Sequence, residues 1–253
     1  MRFVDRVVLV TGAGSGIGRA VCAAFAAEGA DIAAVDVNAD AAALTAEAVR
    51  PRGRRAVAIQ VDVADPDSVQ RAVQDVVAGL GHIDVLVNSA GVRDVTSFLD
   101  LPFTEWQRVI AVNLTGTFVC SQAVAQHLVQ TRRGGKIVNL TSVAGLMAVP
   151  NRSAYVSSKH AVIGLTKAMA MELAEHNIQV NAVAPGVVRT ALTEGYFQDL
   201  DILAGIKRLH PAGRCGEVHE VAELILFLAS AQADFITGAT IPIDGGFAAG
   251  KRP

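Results

Sequence analysis

Cysteine, tryptophan and tyrosine are scarce in this chain of 253 residues, which has three, one and two of them. The cysteines, Cys22, Cys120 and Cys215, are far apart and odd in number, so they match neither the spacing of a zinc site nor a set of paired disulfides. The six histidines form no ligand cluster either. We therefore expect no metal site, and unpaired thiols of this kind fit a reducing cytosol.

Long apolar runs and an excess of one charge are also lacking. Although 51% of the residues are hydrophobic, no stretch of eighteen is free of charged or strongly polar residues, which argues against a transmembrane helix. Charges within the first six residues interrupt the apolar core that a signal peptide needs. The net charge is −2 and the basic residues are scattered, which argues against a nucleic-acid or lipid surface. We predict a cytoplasmic protein whose partner is a small-molecule substrate.

Short apolar segments alternate with helical patterns along the whole chain, and no linker or repeat interrupts them. The predicted strands are Val7–Val10, Ile32–Val35, Val57–Val61, Val85–Val87, Ile137–Leu140, Val180–Val183 and Thr240–Ile243. The predicted helices are Ile17–Glu28, Ala39–Val49, one that begins at Asp65 and Pro66, Thr104–Gln130, Ser153–His176 and Glu217–Ser230. Short apolar strands that are each followed by a helix favour a parallel sheet covered on both faces. Residues 1–253 are therefore predicted to form a single α/β domain.

One segment, Val187 to Arg214, departs from this regularity. It is polar and aromatic, and it is longer than most connections in compact domains. We predict that it forms a lid over a substrate site.

A glycine-rich turn, Thr11-Gly12-Ala13-Gly14-Ser15-Gly16-Ile17-Gly18, joins the first predicted strand to the first predicted helix. Its spacing is not G-x-G-x-x-G, but glycines at a strand-to-helix turn let the backbone and the helix N-terminus approach a pyrophosphate. Asp36 ends the second strand, where a carboxylate can accept hydrogen bonds from both hydroxyls of an adenosine ribose and repel a 2′-phosphate. Ser15, Val37 and Asn38 offer no compensating cation. The pattern predicts NAD rather than NADP.

A candidate proton-transfer pair lies far downstream. Tyr155 and Lys159 are four residues apart on a predicted helix and so share one face. With two tyrosines and five lysines, about 0.04 such pairs are expected by chance. A nearby ammonium lowers the pKa of a phenol, so Tyr155 is the predicted general acid–base. Ser142 can donate a hydrogen bond to the substrate oxygen.

These motifs resemble the short-chain dehydrogenase/reductase family over essentially the whole chain. The resemblance is carried by Thr11-Gly12-x-x-x-Gly16-x-Gly18, Asp62-Val63, Asn88-Ser89-Ala90-Gly91, Asn113, Ser142, Tyr155-x-x-x-Lys159, Pro185-Gly186 and Asp244-Gly245-Gly246. Ser89 stands where the family usually has a second Asn. The resemblance implies a single-domain Rossmann-type fold, with a doubly wound parallel sheet of seven strands in the order 3-2-1-4-5-6-7.

The resemblance also implies roles for individual residues. Asn113 would interrupt its helix, where Asn is a poor helix former, and anchor a water in the proton relay. Lys159 would reach the nicotinamide ribose. The catalytic set is then Asn113, Ser142, Tyr155 and Lys159. The predicted NAD-binding residues are Gly12, Ser15, Gly16, Ile17, Gly18, Asp36, Asp62, Val63, Asn88, Ala90, Gly91, Tyr155, Lys159, Pro185, Gly186, Val188 and Thr190.

Three residues are candidates for substrate contact. Arg152 precedes Tyr155 by three residues, Arg93 follows the Asn88-to-Gly91 turn, and His210 lies in the predicted lid. A guanidinium at either arginine position would suit a carboxylate. The alternative, in which both arginines are surface residues, stays open.

Two predicted helical stretches, Ile110–Ala125 and Ala161–Leu173, are apolar around most of their surface. Such a helix needs cover on two sides, and a sheet supplies only one. A second subunit would supply the other, and the resemblance implies a homotetramer.

The sequence thus predicts an NAD-dependent oxidoreductase that interconverts a secondary alcohol and a ketone, with hydroxy acids, sugar acids and polyols among the candidate substrates. One alternative is an enzyme like the 3-ketoacyl-carrier-protein reductases, although Asp36 argues against their usual NADPH preference. The other is a regulatory protein that binds NAD without turnover, and the complete catalytic set argues against it.

Overall fold

The computed structural model describes residues 1–250. Within them, seven strands form one parallel sheet in the order β3-β2-β1-β4-β5-β6-β7, which confirms the predicted topology. The strands are β1 Val7–Thr11, β2 Asp31–Asp36, β3 Ala56–Gln60, β4 Val85–Asn88, β5 Gly135–Leu140, β6 Ile178–Pro185 and β7 Thr240–Ile243.

Short polar side chains begin several of the helices. Asn38 and Asp65 accept hydrogen bonds from backbone N–H groups of the first turns of α2 and α3, and Pro66 occupies the first position of α3. Glu217 and Glu220 form a reciprocal capping box at the start of α8. The α-helices of the described residues are α1 Gly16–Ala27, α2 Ala39–Val49, α3 Pro66–Leu80, α4 Phe103–Ile110, α5 Gly116–Thr131, α6 Ser153–Leu173, α7 Leu200–Leu209 and α8 Val218–Ala229.

Apolar side chains of the sheet alternate between two cores, one on each face. Val8 and Val10 of β1 belong to the same core as Phe25 of α1 and Ile225 of α8, and all four are fully buried. Val7 and Leu9 belong to the opposite core, with residues of α3 and α5. Burial of each large side chain stabilises the fold by about 1.5–3 kcal/mol, so both faces hold β1 firmly in place. In the sheet, β2 lies on one side of β1 and β4 lies on the other, so the strand order reverses at β1. Such a reversal creates a crevice at the carboxyl ends of the two central strands, β1 and β4.

The predicted helix Thr104–Gln130 is interrupted in the structure. A π-helical turn, Ala111–Thr115, separates α4 from α5. Such turns are rare and frequently mark functional sites. By length and composition the whole stretch Phe103–Thr131 is apolar enough to cross a membrane, and half of its most apolar part is buried in the fold. The core helix of a soluble protein meets the same criterion.

The segment predicted as a lid contains one unpredicted α-helix, α7, which Asp199 caps through two backbone N–H groups. A short 3₁₀ turn, Glu194–Tyr196, precedes it. An isolated parallel bridge between Val188 and Gly216 closes the base of the segment. Lid motion itself remains a prediction.

The three cysteines are buried free thiols. Burial raises the pKa of Cys22 and of Cys120 to about 12, and it also raises the pKa of Cys215. Because the thiolate is the reactive form, these side chains act as small apolar groups in the fold.

Candidate active site

A cleft of about 520 Å³ opens at the carboxyl edge of the sheet. It is lined by the glycine turn, by the ends of β2, β4, β5 and β6, and by the first turns of α6. Every residue of the predicted NAD-binding set lines it except Asn88. The structure thus gathers these residues at one edge of the sheet, as expected for a crevice where the strand order reverses.

Two positions of the glycine turn have no room for a side chain. A Cβ atom on Gly18 would lie 2.2 Å from the carbonyl oxygen of Gly12. Gly12 has a φ of +65°, and its Cβ would lie 2.8 Å from the backbone of Ala90. Bare backbone at these positions, next to the N-terminus of α1, fits a pyrophosphate.

Asp36 is held rigidly at the end of β2. Its Oδ2 accepts a hydrogen bond from the Gly14 N–H at 2.8 Å, and its Oδ1 accepts one from the Asn38 N–H at 2.9 Å. The carboxylate lines the cleft beside the glycine turn. An arginine that the sequence analysis did not consider, Arg19, donates hydrogen bonds to the Gly14 carbonyl and, at 3.3 Å, to the Thr45 hydroxyl.

Asn88 lies behind the cleft wall rather than on it. Its Nδ2 donates to Ser121 Oγ and to Asn139 Oδ1, each at 2.8 Å, and Asn139 donates to Thr166. Asn88 is therefore part of a buried polar chain that joins β4 and β5 to α5 and α6. It positions the neighbouring backbone of Ala90, which does line the cleft.

Tyr155 lies in the first turn of α6, and Lys159 follows one turn later with its side chain buried. Lys159 Nζ donates to the Leu140 carbonyl at 2.8 Å and lies 5.7 Å from the centroid of the Tyr155 ring. Ser142, at the end of β5, lines the same cleft. The structure therefore brings the predicted hydroxyl, phenol and ammonium together.

A buried carboxylate that the sequence analysis missed begins α6. Asp94 is 1% exposed and accepts hydrogen bonds from the N–H groups of Ala154 and Tyr155, the latter at 2.9 Å. A negative charge at a helix N-terminus is favourable, so Asp94 fixes the turn that carries Tyr155. Its signal in the sequence is weak, because the partner lies sixty residues away.

The electrostatics of Tyr155 differ from the expectation that Lys159 lowers its pKa. Burial raises the pKa of Tyr155, while a hydrogen bond with Ser142 and the charges of Arg93 and Arg152 act in the opposite direction. Burial lowers the pKa of Lys159 to about 8. The expectation was wrong on both counts: the net direction is upward, and the opposing charges belong to the arginines.

Asn113 lies in the π-helical turn, so the helix is irregular at this residue as expected. Its Nδ2 donates to the Val92 carbonyl and to Ser158 Oγ, and its Oδ1 accepts from the Val92 N–H. Its own carbonyl accepts from Thr117 at 2.7 Å. Asn113 ties α5 to the cleft wall at Val92 and to α6, and its role in a proton relay remains a prediction.

The two candidate substrate arginines meet on one tyrosine. Arg93 and Arg152 each donate a hydrogen bond of 2.6 Å to the phenol oxygen of Tyr196, which belongs to the lid. All three side chains are half-buried. Nothing in the local sequence pattern joins positions 93, 152 and 196, so neither contact with Tyr196 is predictable from the sequence.

His210 does not face the main cleft, contrary to the expectation that it touches substrate. It is 1% exposed, its Nε2 accepts from the Val187 N–H at 3.2 Å, and its Nδ1 donates to the Ile206 carbonyl at 2.7 Å. Both ring nitrogens are therefore used by the backbone. His210 joins the end of α7 to the strand end after β6, and its role is structural.

The fold and the cleft define a dinucleotide-dependent oxidoreductase of the Rossmann type. A family model described as enoyl-(acyl carrier protein) reductase matches residues 12–248. The chain is similar to meso-2,3-butanediol dehydrogenase of Serratia marcescens, at 39% identity over 97% of this chain and 96% of the relative. It is also similar to 3-oxoacyl-[acyl-carrier-protein] reductase FabG of Thermotoga maritima, at 42% identity over 97% and 99% of the two chains.

A solved structure, a short-chain type dehydrogenase/reductase from Mycobacterium marinum, superimposes with a TM-score of 0.92 at 39% identity, covering 97% of this chain and 96% of the other. The chain belongs to the short-chain dehydrogenase/reductase family. It is an oxidoreductase of a family that uses NAD or NADP.

Proposed function

We propose that this protein is an NAD-dependent dehydrogenase that interconverts a secondary alcohol and a ketone. The observation that carries the proposal is the common cleft of Ser142, Tyr155 and Lys159 with the glycine turn and Asp36. A phenol and a hydroxyl aimed at one cleft suit the oxygen of a carbinol, which must lose or gain a proton. This favours alcohol and ketone chemistry over the reduction of a carbon–carbon double bond that the family model's description names.

The described residues fit a dinucleotide. Gly12 and Gly18 have no room for a side chain, and the turn offers backbone N–H groups next to the α1 N-terminus, which suits a pyrophosphate. Asp36 would accept hydrogen bonds from the adenosine ribose, and Lys159 would hold the nicotinamide ribose. Val188 and Thr190, at the cleft wall after β6, would meet the carboxamide.

In the proposed mechanism Ser142 donates a hydrogen bond to the substrate oxygen and places it beside Tyr155. The chemistry supplied by NAD is acceptance of the hydride from the carbinol carbon. The Tyr155 phenolate accepts the hydroxyl proton, so the alcohol loses one hydride and one proton and becomes a ketone. In the reverse direction the neutral phenol donates that proton.

Asp36 carries the prediction on cofactor choice. The kcat/KM with NAD should exceed that with NADP by at least about a hundredfold, since a fixed carboxylate opposes the 2′-phosphate by several kcal/mol. Asp36→Ala should narrow this ratio, whereas Asp40→Ala, which removes an exposed carboxylate four residues away, should leave it unchanged. Steady-state rates with both cofactors measure the ratio. Equal use of NAD and NADP by the unaltered protein would refute the assignment, and Arg19 would then be the first cation to examine.

Steady-state assays with NAD(H) and NADP(H) also test two alternative functions, a ketoacyl reductase and a regulatory protein without turnover. The similarity to the Thermotoga maritima reductase favours activity on ketoacyl thioesters, for which acetoacetyl-coenzyme A with NADPH is the probe. A regulatory protein would bind NADH without turnover of any member of a panel of alcohols and ketones. The catalytic residues gathered in the cleft favour turnover.

We also propose that the protein is a homotetramer. The outer face of α6 exposes small and apolar residues, including Gly164, Ala168 and Met171. The outer face of α5 is more polar than expected, because exposed Phe118 is accompanied by exposed Gln122 and Gln126. Further apolar surface is exposed at Phe98, Leu99 and Phe103, which precede or begin α4 and are all at least 70% exposed.

Sedimentation velocity at micromolar concentration should therefore show a species of four chain masses. Phe118→Glu should shift it to smaller species, because a charge buried without a partner in an interface is costly. Ala48→Glu adds the same charge at an exposed position of α2, whose core residues belong to the opposite core from those of α5, and it should leave the sedimentation unchanged. A clean monomer of the unaltered protein would contradict the proposal.

A further inference from the structure

A cluster of two arginines and a tyrosine lies beside the cleft; none of the three lines it, but each is within three positions of a residue that does. Arg93 follows Val92, which lines the cleft, and Arg152 immediately precedes α6, which carries Tyr155. Tyr196 belongs to the lid, three residues after the cleft-lining Thr193. The two guanidinium groups donate to the same phenol oxygen, and Arg93 Cζ lies 4.7 Å from the centroid of the Tyr196 ring. We call Arg93, Arg152 and Tyr196 the arginine clamp.

The two positive charges of the arginine clamp are not paired with a carboxylate, and the buried Asp94, which follows Arg93 in the chain, instead accepts hydrogen bonds from the N–H groups of Ala154 and Tyr155. Within residues 1–250, neither Arg93 nor Arg152 has a carboxylate oxygen within 4.0 Å, although neighbouring Arg108 pairs with Glu105 at 2.6 Å. The hydroxyl oxygen of Tyr196 accepts hydrogen bonds from both guanidinium groups, but it is not a carboxylate partner for them. Like charges held together in a half-buried position favour an anion as a third partner.

The hydrogen-bonding capacity of the arginine clamp points to the same ligand. A phenol oxygen has two lone pairs, and both are occupied by the arginines, so its O–H remains a donor. Each guanidinium has five N–H donors and no acceptor, and at most two of them are used here by protein atoms. The clamp therefore presents donors only. A carboxylate, with about four lone-pair positions on two oxygens, is matched to such a set.

The arginine clamp is close enough to the reacting atoms to select substrate. Arg152 is three residues before Tyr155, which is less than one helical turn of about 5.4 Å. The charges of Arg93 and Arg152 both act on the Tyr155 phenol. We therefore expect that one substrate can place an anionic group on the clamp and a carbinol at Ser142 and Tyr155.

We propose that the arginine clamp binds a carboxylate and that the substrate is accordingly a short hydroxy acid, oxidised to the keto acid. The inference rests on the proposed function for its reaction, but not for its binding site. Tyr196 also gives the lid a direct contact with the bound carboxylate. Substrate binding would then hold the lid over the cleft, through a residue 41 positions from the catalytic tyrosine.

The first test compares C4–C6 2- and 3-hydroxy acids with their methyl esters, using NAD. The kcat/KM of the best acid should exceed that of its ester by at least about thirtyfold, because charge-assisted hydrogen bonds are lost in the ester. Arg93→Gln and Arg152→Gln should each raise KM for the acid by about ten- to a hundredfold and leave the ester within about twofold. Tyr196→Phe, which keeps the ring, should raise the same KM by about threefold or more.

Arg71→Gln is the matched control, since it removes the same charge from an exposed position of α3, outside the lid and the cleft, and it should change the kinetics of neither the acid nor the ester. A hydroxyalkyl phosphate of the same length tests whether the clamp prefers a phosphate. A kcat/KM higher than that of the best hydroxy acid would overturn the carboxylate assignment. If the arginine variants lost the same factor of kcat/KM on the acid and on the ester, the substitutions would have damaged the structure. The proposal that the clamp binds a carboxylate would then be overturned.

A second readout does not depend on turnover. Sodium butanoate should raise the Tm of the unaltered protein in the presence of NADH more than sodium chloride at equal ionic strength, and this difference should disappear in Arg93→Gln and Arg152→Gln. If butanoate did not raise the Tm of the unaltered protein more than sodium chloride does, the carboxylate site would be refuted. That conclusion would hold even if the protein oxidised 2,3-butanediol or cyclohexanol. Butanoate stabilisation without turnover of any alcohol would instead sustain the clamp and refute the proposed function.

Discussion

Tyr155→Phe should lower kcat for alcohol oxidation by about 10²–10⁴-fold, the usual contribution of a positioned acid–base group. The affinity for NADH should change by less than about threefold, because the phenol transfers the proton and the glycine turn and Asp36 hold the dinucleotide. The replacement keeps the ring that fills the space between Ser142 and Lys159. Steady-state kinetics and titration of NADH fluorescence measure the two effects separately.

The pH dependence gives this prediction a second readout. Oxidation uses the deprotonated phenol, and burial raises the pKa of Tyr155. The proton-accepting form therefore increases as the pH rises, so oxidation by the unaltered enzyme should accelerate into the alkaline range. Reduction uses the protonated phenol and should slow over the same range. The residual rate of Tyr155→Phe should lose this dependence.

Ser157→Ala is a suitable control for Tyr155→Phe, because Ser157 is exposed on the outer face of the same helix. It should retain the rate and the pH profile of the unaltered enzyme. If Tyr155→Phe kept more than a tenth of the original kcat, the acid–base role would belong to another residue.

Much of the fold could be predicted because each strand is a short apolar run next to a helical pattern. The predicted strands Val7–Val10 and Ile137–Leu140 agree with β1 and β5 to within two residues at each end, because polar residues or glycines bound both runs. β6 is longer than predicted, at Ile178–Pro185. Its polar Asn181 is buried because its side chain donates to the Ile236 carbonyl and accepts from the Ala239 N–H. Such compensation depends on a segment more than fifty residues away, which periodicity does not show.

The lid helix α7 and the π-helical turn were missed for different reasons. Asp199 is a recognisable cap and Leu203 and Ile206 have helical spacing, but no residue of α7 is fully buried, so the apolar signal is weak. The π-helical turn contains Asn113, whose amide donates hydrogen bonds to the Val92 carbonyl and to Ser158 Oγ. Both partners come from other parts of the chain, so the local sequence does not reveal them.

The site was predictable where its chemistry is local and unpredictable where it is not. The Tyr155–Lys159 spacing and the glycine turn each lie within eight residues. The charge environment of Tyr155 instead depends on Arg93, sixty-two positions away, and on a lid whose conformation the sequence pattern did not give. Burial raises the pKa of Tyr155, and it outweighs the hydrogen bond with Ser142 and the charges of the two arginines, which lower that pKa.

Gly18→Ala should reduce NAD affinity by about a hundredfold or more and should also destabilise the fold, since overpacking of this kind costs about 1–3 kcal/mol. The added Cβ would lie 2.2 Å from the Gly12 oxygen, 2.8 Å from the Gly12 carbonyl carbon and 3.2 Å from Ala13 Cα. All three are backbone atoms, so no flexible side chain can move aside. Titration of NADH fluorescence and urea unfolding measure the two effects.

The turn cannot relieve this clash by moving as a unit, because Gly12 is itself packed against the backbone of Ala90 on the other side. Either α1 separates from the turn or the turn loses its fit to a pyrophosphate, and both changes act on the cofactor. Gly205→Ala is the matched control in α7, none of whose residues lines the cleft, and the nearest atom to the new Cβ would be 3.9 Å away. It should leave NADH affinity unchanged and stabilise α7 by up to about 1 kcal/mol. Unaltered NADH binding in Gly18→Ala would mean that the glycine turn is not where the pyrophosphate binds.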